Sequence, residues 1–262
     1  MPWVTRGLRN GVLTSSYPRR PDGYGANWHG AVTIRPTTRA ARPPVARALC
    51  PTGAIGTAGD GTPTLDAGRC IGCGRCVARR PDVFGFEPLT EVASLARGAL
   101  VVPPSEESEA AVATARAGLA RRVKALRRSV HVRHVDAGSD GSDEWEIAAL
   151  TNPVYDVHRL GIFFTASPRH ADLLLVTGAG SAGMVGPLVA TYEAMPEPRA
   201  VVAAGTDSIS GGMLSPSYAT RGGVADIVPV DVWVPGSPPS PFSVLHGLLL
   251  AIGLLSPAKG RP

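Results

Sequence analysis

Ala171-Asp172-Leu173-Leu174-Leu175-Val176-Thr177, running into Gly178-Ala179-Gly180-Ser181-Ala182-Gly183, is the stretch on which the fold turns. An unbroken apolar run of strand length, closed by glycines, predicts a strand buried on both faces, as in a parallel sheet covered by helices. Outward from it, Met184 to Met195 reads as a helix ending before Pro196, Arg199 to Gly205 as the next strand, and Ala225 to Asp231 as another. Ser240 is placed to cap a last apolar helix, Pro241 to Leu255, which falls short of the ~20 residues of a bilayer span. From about His131 onward strand, loop and helix alternate, so the expected class is α/β with a parallel sheet.

Gly178, Gly180 and Gly183 make a literal G-x-G-x-x-G between a strand and a helix, the first half of a dinucleotide fingerprint. The second half is an acid roughly 20 positions on, at the end of the next strand. Asp207 lies too far along, and Glu193 and Glu197 flank the helix end instead. Nucleotide binding is kept as an alternative reading of this loop. There is no nucleophile elbow, H-E-x-x-H or Walker loop, and no histidine pairs with a Cys or Ser in a catalytic order.

The four cysteines of the chain all fall in one pattern, Cys50-Pro51 followed by Cys70-Ile71-Gly72-Cys73-Gly74-Arg75-Cys76. C-P with C-x2-C-x2-C is the pattern of a [4Fe-4S] site: three close thiolates hold three corners of the cubane and the remote one closes the fourth. Gly72 and Gly74 let the backbone curl around such a core with its amides turned inward. Two disulfides are the poorer reading, because the run is too cramped for unstrained bridges, and zinc would more naturally use two C-x2-C pairs. Arg69, Arg75, Arg79 and Arg80 bring positive charge to a thiolate cage of net negative charge, which raises a cluster's potential; solvated surface arginines are the alternative.

At these residues the chain resembles a bacterial-type ferredoxin domain, in which C-x2-C-x2-C-x3-C-P occurs twice and each fourth Cys serves the other cluster. Counted by that spacing, the other ligand positions fall on Ala40, Pro43, Ala46 and Arg80, none of them a thiol. They are the complete set of one cluster, and the four cysteines are the complete set of the other. The resemblance therefore implies one [4Fe-4S] cluster where a ferredoxin holds two. The segment from Arg6 to Pro18, with Trp28-His29-Gly30, resembles the entry of ferredoxin-like subunits that sit on the membrane arm of respiratory complex I and of membrane-bound hydrogenases. By residue chemistry it is an aromatic, basic docking arm that needs a partner to order it, and no signal peptide is expected, since Met1 to Asn10 is polar and basic.

Composition divides the 262 residues. From about Arg35 to Pro104 the chain is rich in Pro, Gly and Arg, so metal is expected to supply much of the stability there, and Gly56 to Asp66 reads as a loop. Ser105 to Glu109 opens an alanine-rich helical run, Ala110 to Ser129, with acids at its start and bases at its end, as the helix dipole favours. A formal charge of +5 with no aromatic interleaving gives little ground for nucleic acid. The expected division is a docking arm over 1–34, a one-cluster ferredoxin-like domain over 35–104, a linker helix over 105–130 and the α/β domain over 131–262.

Arg128 to Ser139, Glu146 to Asp156, Gly161 to Gly178, Val228 to Asp231 and Val234 to Pro241 resemble, in order, the B (20 kDa) subunit of NADH-quinone oxidoreductase and the small subunit of group 4 [NiFe] hydrogenases. The resemblance implies a flavodoxin-like parallel sheet, preceded here by the small ferredoxin-like α+β iron-sulfur domain. In that family a C-x-x-C-E pair, a Cys after a G-D turn and the Cys of P-G-C-P-P hold a terminal [4Fe-4S] cluster. Those positions here are Asp140, Asp143, Asp207 and Ser237. Four hard oxygen donors do not hold a soft cubane, so the resemblance implies the fold and the seat in a complex while removing the family's own cluster. Three carboxylates and a hydroxyl could instead bind a hard cation such as Mg2+ or Ca2+, or lie on a hydrated, vacated surface; buried together they would raise one another's pKa, Asp143 and Glu144 first.

The expected function is one-electron relay by a peripheral subunit on the cytoplasmic side of the cell membrane, in a complex I-like or hydrogenase-related assembly. Its implied partners are a large catalytic-type subunit and membrane subunits. The alternatives are a non-redox scaffold subunit of such a complex and a nucleotide-binding enzyme.

Overall fold

The computed structural model describes residues 2–21, 28–35, 47–126, 129–215 and 217–255. Ala40, Pro43 and Ala46, three of the positions expected to have lost a ligand, lie outside the described residues, as do Arg127 and Arg128 of the expected helical run.

The N-terminal part carries α1 (Pro2–Asn10), β1 (Ala31–Ile34), β2 (Ile55–Thr57), β3 (Pro63–Asp66), α2 (Arg75–Arg79), β4 (Phe84–Glu87) and β5 (Val101–Val102). β1 pairs antiparallel with β4, and β2, β3 and β5 form a second small antiparallel sheet. Val32, Ile55, Leu65, Val83 and Phe84 pack together with Cys76 in the core between them. The last residues of the expected arm thus belong to a sheet of the expected iron-sulfur unit. Its middle finds an anchor in its own chain: Tyr17 is buried edge-on against Phe242 at 5.6 Å, the Ser15 amide donates to the Val154 carbonyl at 2.9 Å, and Arg159 donates to the Tyr17 carbonyl at 2.5 Å.

The second part comprises α3 (Glu106–Arg122), β6 (Val130–Asp136), α4 (Ser142–Ala149), β7 (Ile162–Phe164), β8 (Leu173–Thr177), α5 (Val185–Ala194), β9 (Ala200–Ala204), α6 (Thr206–Ser210), β10 (Val232–Val234) and α7 (Pro241–Ala251). Five parallel strands stand in the order β10-β9-β8-β6-β7. Every residue of β8 is buried, and they alternate between two cores. Leu173 and Leu175 meet Leu245, Leu248 and Leu249 of α7, while Leu174 and Val176 meet Leu188, Met195 and Ile209 on the other face. Burial on both faces is why the run carries no polar alternation. All eleven residues of α7 are buried, and the Ser240 hydroxyl caps it by accepting from the Ser243 amide. The chain leaves β6 for β7 on one side and crosses back to β8 on the other, so the strand order reverses between β6 and β8. Ligands of open α/β sheets sit in the crevice outside the strands' carboxyl ends at such a reversal.

Two expected elements differ. Gly56 to Asp66 is the hairpin β2–β3 and not a loop: Ala58 and Thr62 bond across the turn at 2.8 Å, with the Thr62 amide also donating to Asp60 at 2.9 Å. Ala225 to Asp231 is not a strand. Ile227 and Val228 donate back to the Val224 carbonyl in turns, Pro229 has no amide to donate, and the strand proper is β10, beginning after Asp231. The helical run closes at Arg122 in α3, followed by a 3-10 turn over Val123–Ala125, and the last helix ends at Ala251 and not at Leu255.

Candidate functional site

Cys50, Cys70, Cys73 and Cys76 line one pocket, and all four are free thiols. Cys50 follows a 3-10 turn over Arg47–Leu49, and Cys76 lies in α2. The loop between is curled by Gly72 and Gly74, with φ of 65° and 69°, where any side chain is strained. A Cβ on Gly74 would also stand 3.0 Å from the Phe86 ring. Backbone amides turn onto the sulfurs, Ala54 onto Cys50 at 3.3 Å and Gly72 onto Cys70 at 3.5 Å. Around them Asp66 is a clamp, taking two bonds from Arg97 at 2.8 and 2.7 Å and one from the Gly68 amide at 2.9 Å.

The electrostatics fit a cationic core. Burial pushes the Cys70 thiol up to about 11, with Cys76, Cys50 and Cys73 adding to the rise against the Gly72 amide. Cys76 is also raised, by burial first and by Cys73. At Cys50 burial is outweighed by hydrogen bonds from Thr52, Ala54 and Ile55, and the thiol is lowered. Thiols that oppose one another's ionisation become ligands when positive charge lies between them. Among the described residues no group of three or more His, Cys, Asp or Glu side chains is set to hold a metal ion. A cubane differs from a lone ion in that each thiolate binds its own iron at a separate corner, so its four donors stand around a core and not against one atom.

Of the four arginines, two are engaged. Arg80, at the last position expected to have lost a ligand, forms the C-cap of α2 and makes a two-bond pair with Asp82 at 2.8 and 2.7 Å. Arg69 stands 3.5 Å from Asp66. Arg75 and Arg79 are exposed.

Asp140, Asp143, Asp207 and Ser237 all follow the carboxyl ends of strands, after β6, β9 and β10. Asp143 is not on a hydrated surface. Only 4% of it is exposed, its carboxyl lies against Gly205, and it has no hydrogen-bond partner among the described residues. Burial, then the charges of Asp207, Glu144, Asp140 and Asp136, push it up to about 8. Asp207 is raised by burial and by Asp140 and Glu144, whereas Asp140 is lowered by the hydroxyl and amide of Ser142, at 2.6 and 2.9 Å. Ser237 is exposed and lines a different space. The four positions expected to have lost a ligand thus give a mutually repelling carboxylate cluster with one hydroxyl apart from it.

That other space is a cleft of about 480 Å³ between the two parts of the chain, with Cys70, Ile71 and Gly72 on one wall, Trp28 and Phe86 beside them, and Ser237 with Phe242 on the other. The Thr206 hydroxyl donates to the Cys70 carbonyl at 3.0 Å nearby, joining the thiol loop to α6.

The Gly178 to Gly183 loop is occupied by its own neighbours. A Cβ on Gly178 would fall 2.6 Å from the Gly138 carbonyl carbon, and one on Gly180 would fall 2.5 Å from the Gly223 oxygen. The amides of Ala179, Ser181, Ala182 and Met184 donate to Gly138, Ala137, Ala219 and Ser181. A phosphate cradle needs such amides free. Gly183 stands clear of both contacts.

Sequence reasoning missed two features. Thr206 carries no pattern that predicts its bond to Cys70. Beside the acids, Glu144 accepts from Ser139 at 2.6 Å and from Thr177, and Thr177 is 3.0 Å from His134 Nε2. His134 is lowered by burial against the opposing pull of Glu144. Only the strand phase of His134 and Thr177 hinted that they share a face.

The model of the family described as NADH ubiquinone oxidoreductase, 20 Kd subunit, matches residues 141–251. Formate hydrogenlyase subunit 7 of Escherichia coli (strain K12) is 38% identical over 159 residues, which are 61% of this chain and 61% of that protein's own length. The probable membrane-bound hydrogenase subunit mbhJ of Pyrococcus furiosus is 40% identical over 138 residues, 53% of this chain and 83% of that one. The chloroplastic NAD(P)H-quinone oxidoreductase subunit K of Lotus japonicus is 45% identical over 104 residues, 39% of this chain and 45% of that one. With most of one relative spanned at this identity and the family match covering four of the five parallel strands, the chain belongs to the NADH ubiquinone oxidoreductase 20 Kd subunit family.

Proposed function

We propose that this chain is an electron-transfer subunit of a membrane-associated complex I-like or hydrogenase-related oxidoreductase, with one [4Fe-4S] cluster on Cys50, Cys70, Cys73 and Cys76. The observation that carries the reading is the convergence of all four thiols on one pocket, with amides turned onto their sulfurs. When bound, such a cluster supplies one-electron redox chemistry. The residues' part is to hold four sulfurs, to shield them on the Val32 and Phe84 side, and to fix the Cys70 loop against α6 through Thr206.

The division into an arm, a ferredoxin-like unit, a linker helix and a flavodoxin-like domain is supported by the small antiparallel sheets and by the parallel strand order, which reads 2-1-3-4-5. The names of the relatives, a formate hydrogenlyase, a membrane-bound hydrogenase and a quinone oxidoreductase, support the seat in a complex. A large catalytic-type subunit would cover the face around the vacated position, where Trp145, Met213, Leu214 and Tyr218 are exposed. The seat we propose is peripheral, beside membrane subunits on the cytoplasmic side; no helix among the described residues is long and apolar enough to cross a membrane.

Anaerobic reconstitution of the full chain tests the reading. About four irons and four acid-labile sulfides per chain are expected, with one reversible paramagnetic signal on reduction. Protein that takes up no iron, or twice that amount, overturns it.

The scaffold alternative is favoured by the carboxylates at the emptied positions. It predicts that Cys73→Ser leaves the activity of the assembled complex intact, where relay predicts its loss.

A further inference from the structure

α1 and the turn after it leave several large apolar side chains in solvent. Trp3 is 74% exposed, Leu8 79% and Val12 91%, and no residue of α1 is buried. At 100° per residue Trp3, Val4, Gly7 and Leu8 fall on one side of the helix and Arg6 and Arg9 on the other. Residues 2–21 carry four arginines, with Arg19 and Arg20 also exposed, and no Asp or Glu. The segment is not a loose end. Thr14 donates to the Pro153 carbonyl at 2.7 Å and Tyr17 is locked into the core, so α1 projects from a fixed point with its apolar side uncovered.

We infer that α1 lies in the plane of a membrane surface, its Trp3 and Leu8 side sunk among the acyl chains and its arginines on anionic headgroups. The charge decides between occupants. A stripe of Trp, Val and Leu backed by arginines alone is the composition of an interfacial helix, the indole sitting at the boundary and the guanidinium groups reaching phosphate. The inference stands apart from the electron relay, since it uses none of the thiols.

Flotation of the iron-loaded full chain with vesicles tests it, using phosphatidylcholine mixed with phosphatidylglycerol against phosphatidylcholine alone. The chain is expected to float with the mixed vesicles and far less with the neutral ones. Trp3→Glu with Leu8→Glu is expected to cut the bound fraction about tenfold, and Arg6→Gln with Arg9→Gln to abolish the preference for anionic lipid. Iron content and absorbance stay unchanged in all of them, which separates a failure here from a failure of the cluster site. Wild-type protein that floats with neither vesicle, as a helix made for a protein groove would behave, overturns the inference; so does equal flotation of the Trp3→Glu, Leu8→Glu variant.

Discussion

The side chain of Thr206 donates to the main-chain oxygen of Cys70 at 3.0 Å, across 136 positions of sequence. One end lies in the loop that carries Cys70, Cys73 and Cys76, and the other opens α6, next to Asp207. Thr206→Val keeps the shape and removes the donor. It is expected to lower stability by about 1 kcal/mol, a few degrees in Tm, read by thermal unfolding. An unchanged Tm would show that the loop is held by its other contacts alone.

Asp143 keeps its proton up to about pH 8 in the fold, against an ordinary value of 3.8. Between those values the unfolded chain binds fewer protons, so the residue's effect on stability worsens as pH rises from about 4 to 8. Asp143→Asn removes that burden. The variant is expected to match the native protein near pH 4 and to exceed it by a few kcal/mol at pH 8, measured by urea unfolding at each pH. A constant difference at all pH values would contradict the burial of an ionisable group there.

His246 is the opposite case. It is 1% exposed, accepts from the Ala93 amide at 3.2 Å, and burial lowers it from 6.5 to about 4. As pH falls through that window the unfolded chain takes the proton and the fold refuses it, costing about 3 kcal/mol in all. In the native protein this slope is opposed by Asp143. In Asp143→Asn it is expected to emerge as stability that climbs from pH 4 to 6.5, and a flat profile would refute it.

Gly74 caps α2 with a left-handed backbone and faces the Phe86 ring. Gly74→Ala is expected to cost about 1 to 2 kcal/mol and to lower iron retention after reconstitution. Full retention would mean that the thiols do not depend on this turn.

Much of the fold was legible because its signals are local. Leu173 to Val176 could be read as a doubly covered strand from composition alone, and Ser240 announced α7 through its cap. The stretch from Ala225 to Asp231 misled because Ile227, Val228 and Val230 look like a strand, while Pro229 and the bonds back to Val224 commit it to turns. Gly56 to Asp66 reads as a loop in sequence because its small residues give little β signal, yet its partner strand lies only a turn away. At the site the thiols were legible by spacing. The burial of Asp143 was not, because it comes from Gly205 and α6, some sixty positions away in the chain.

The β2–β3 hairpin separates Cys50 from the other three thiols in sequence while closing the distance between its own two ends. Across its tip Ala58 donates to the Thr62 carbonyl, Gly61 to the Ala58 carbonyl and Thr62 to the Asp60 carboxylate. Residues 57–61 are exposed and a side chain at Gly59 would meet nothing, so extra chain spliced there would lengthen a spur without spreading the sulfurs. That makes the tip a natural attachment point for a spectroscopic label or an affinity handle.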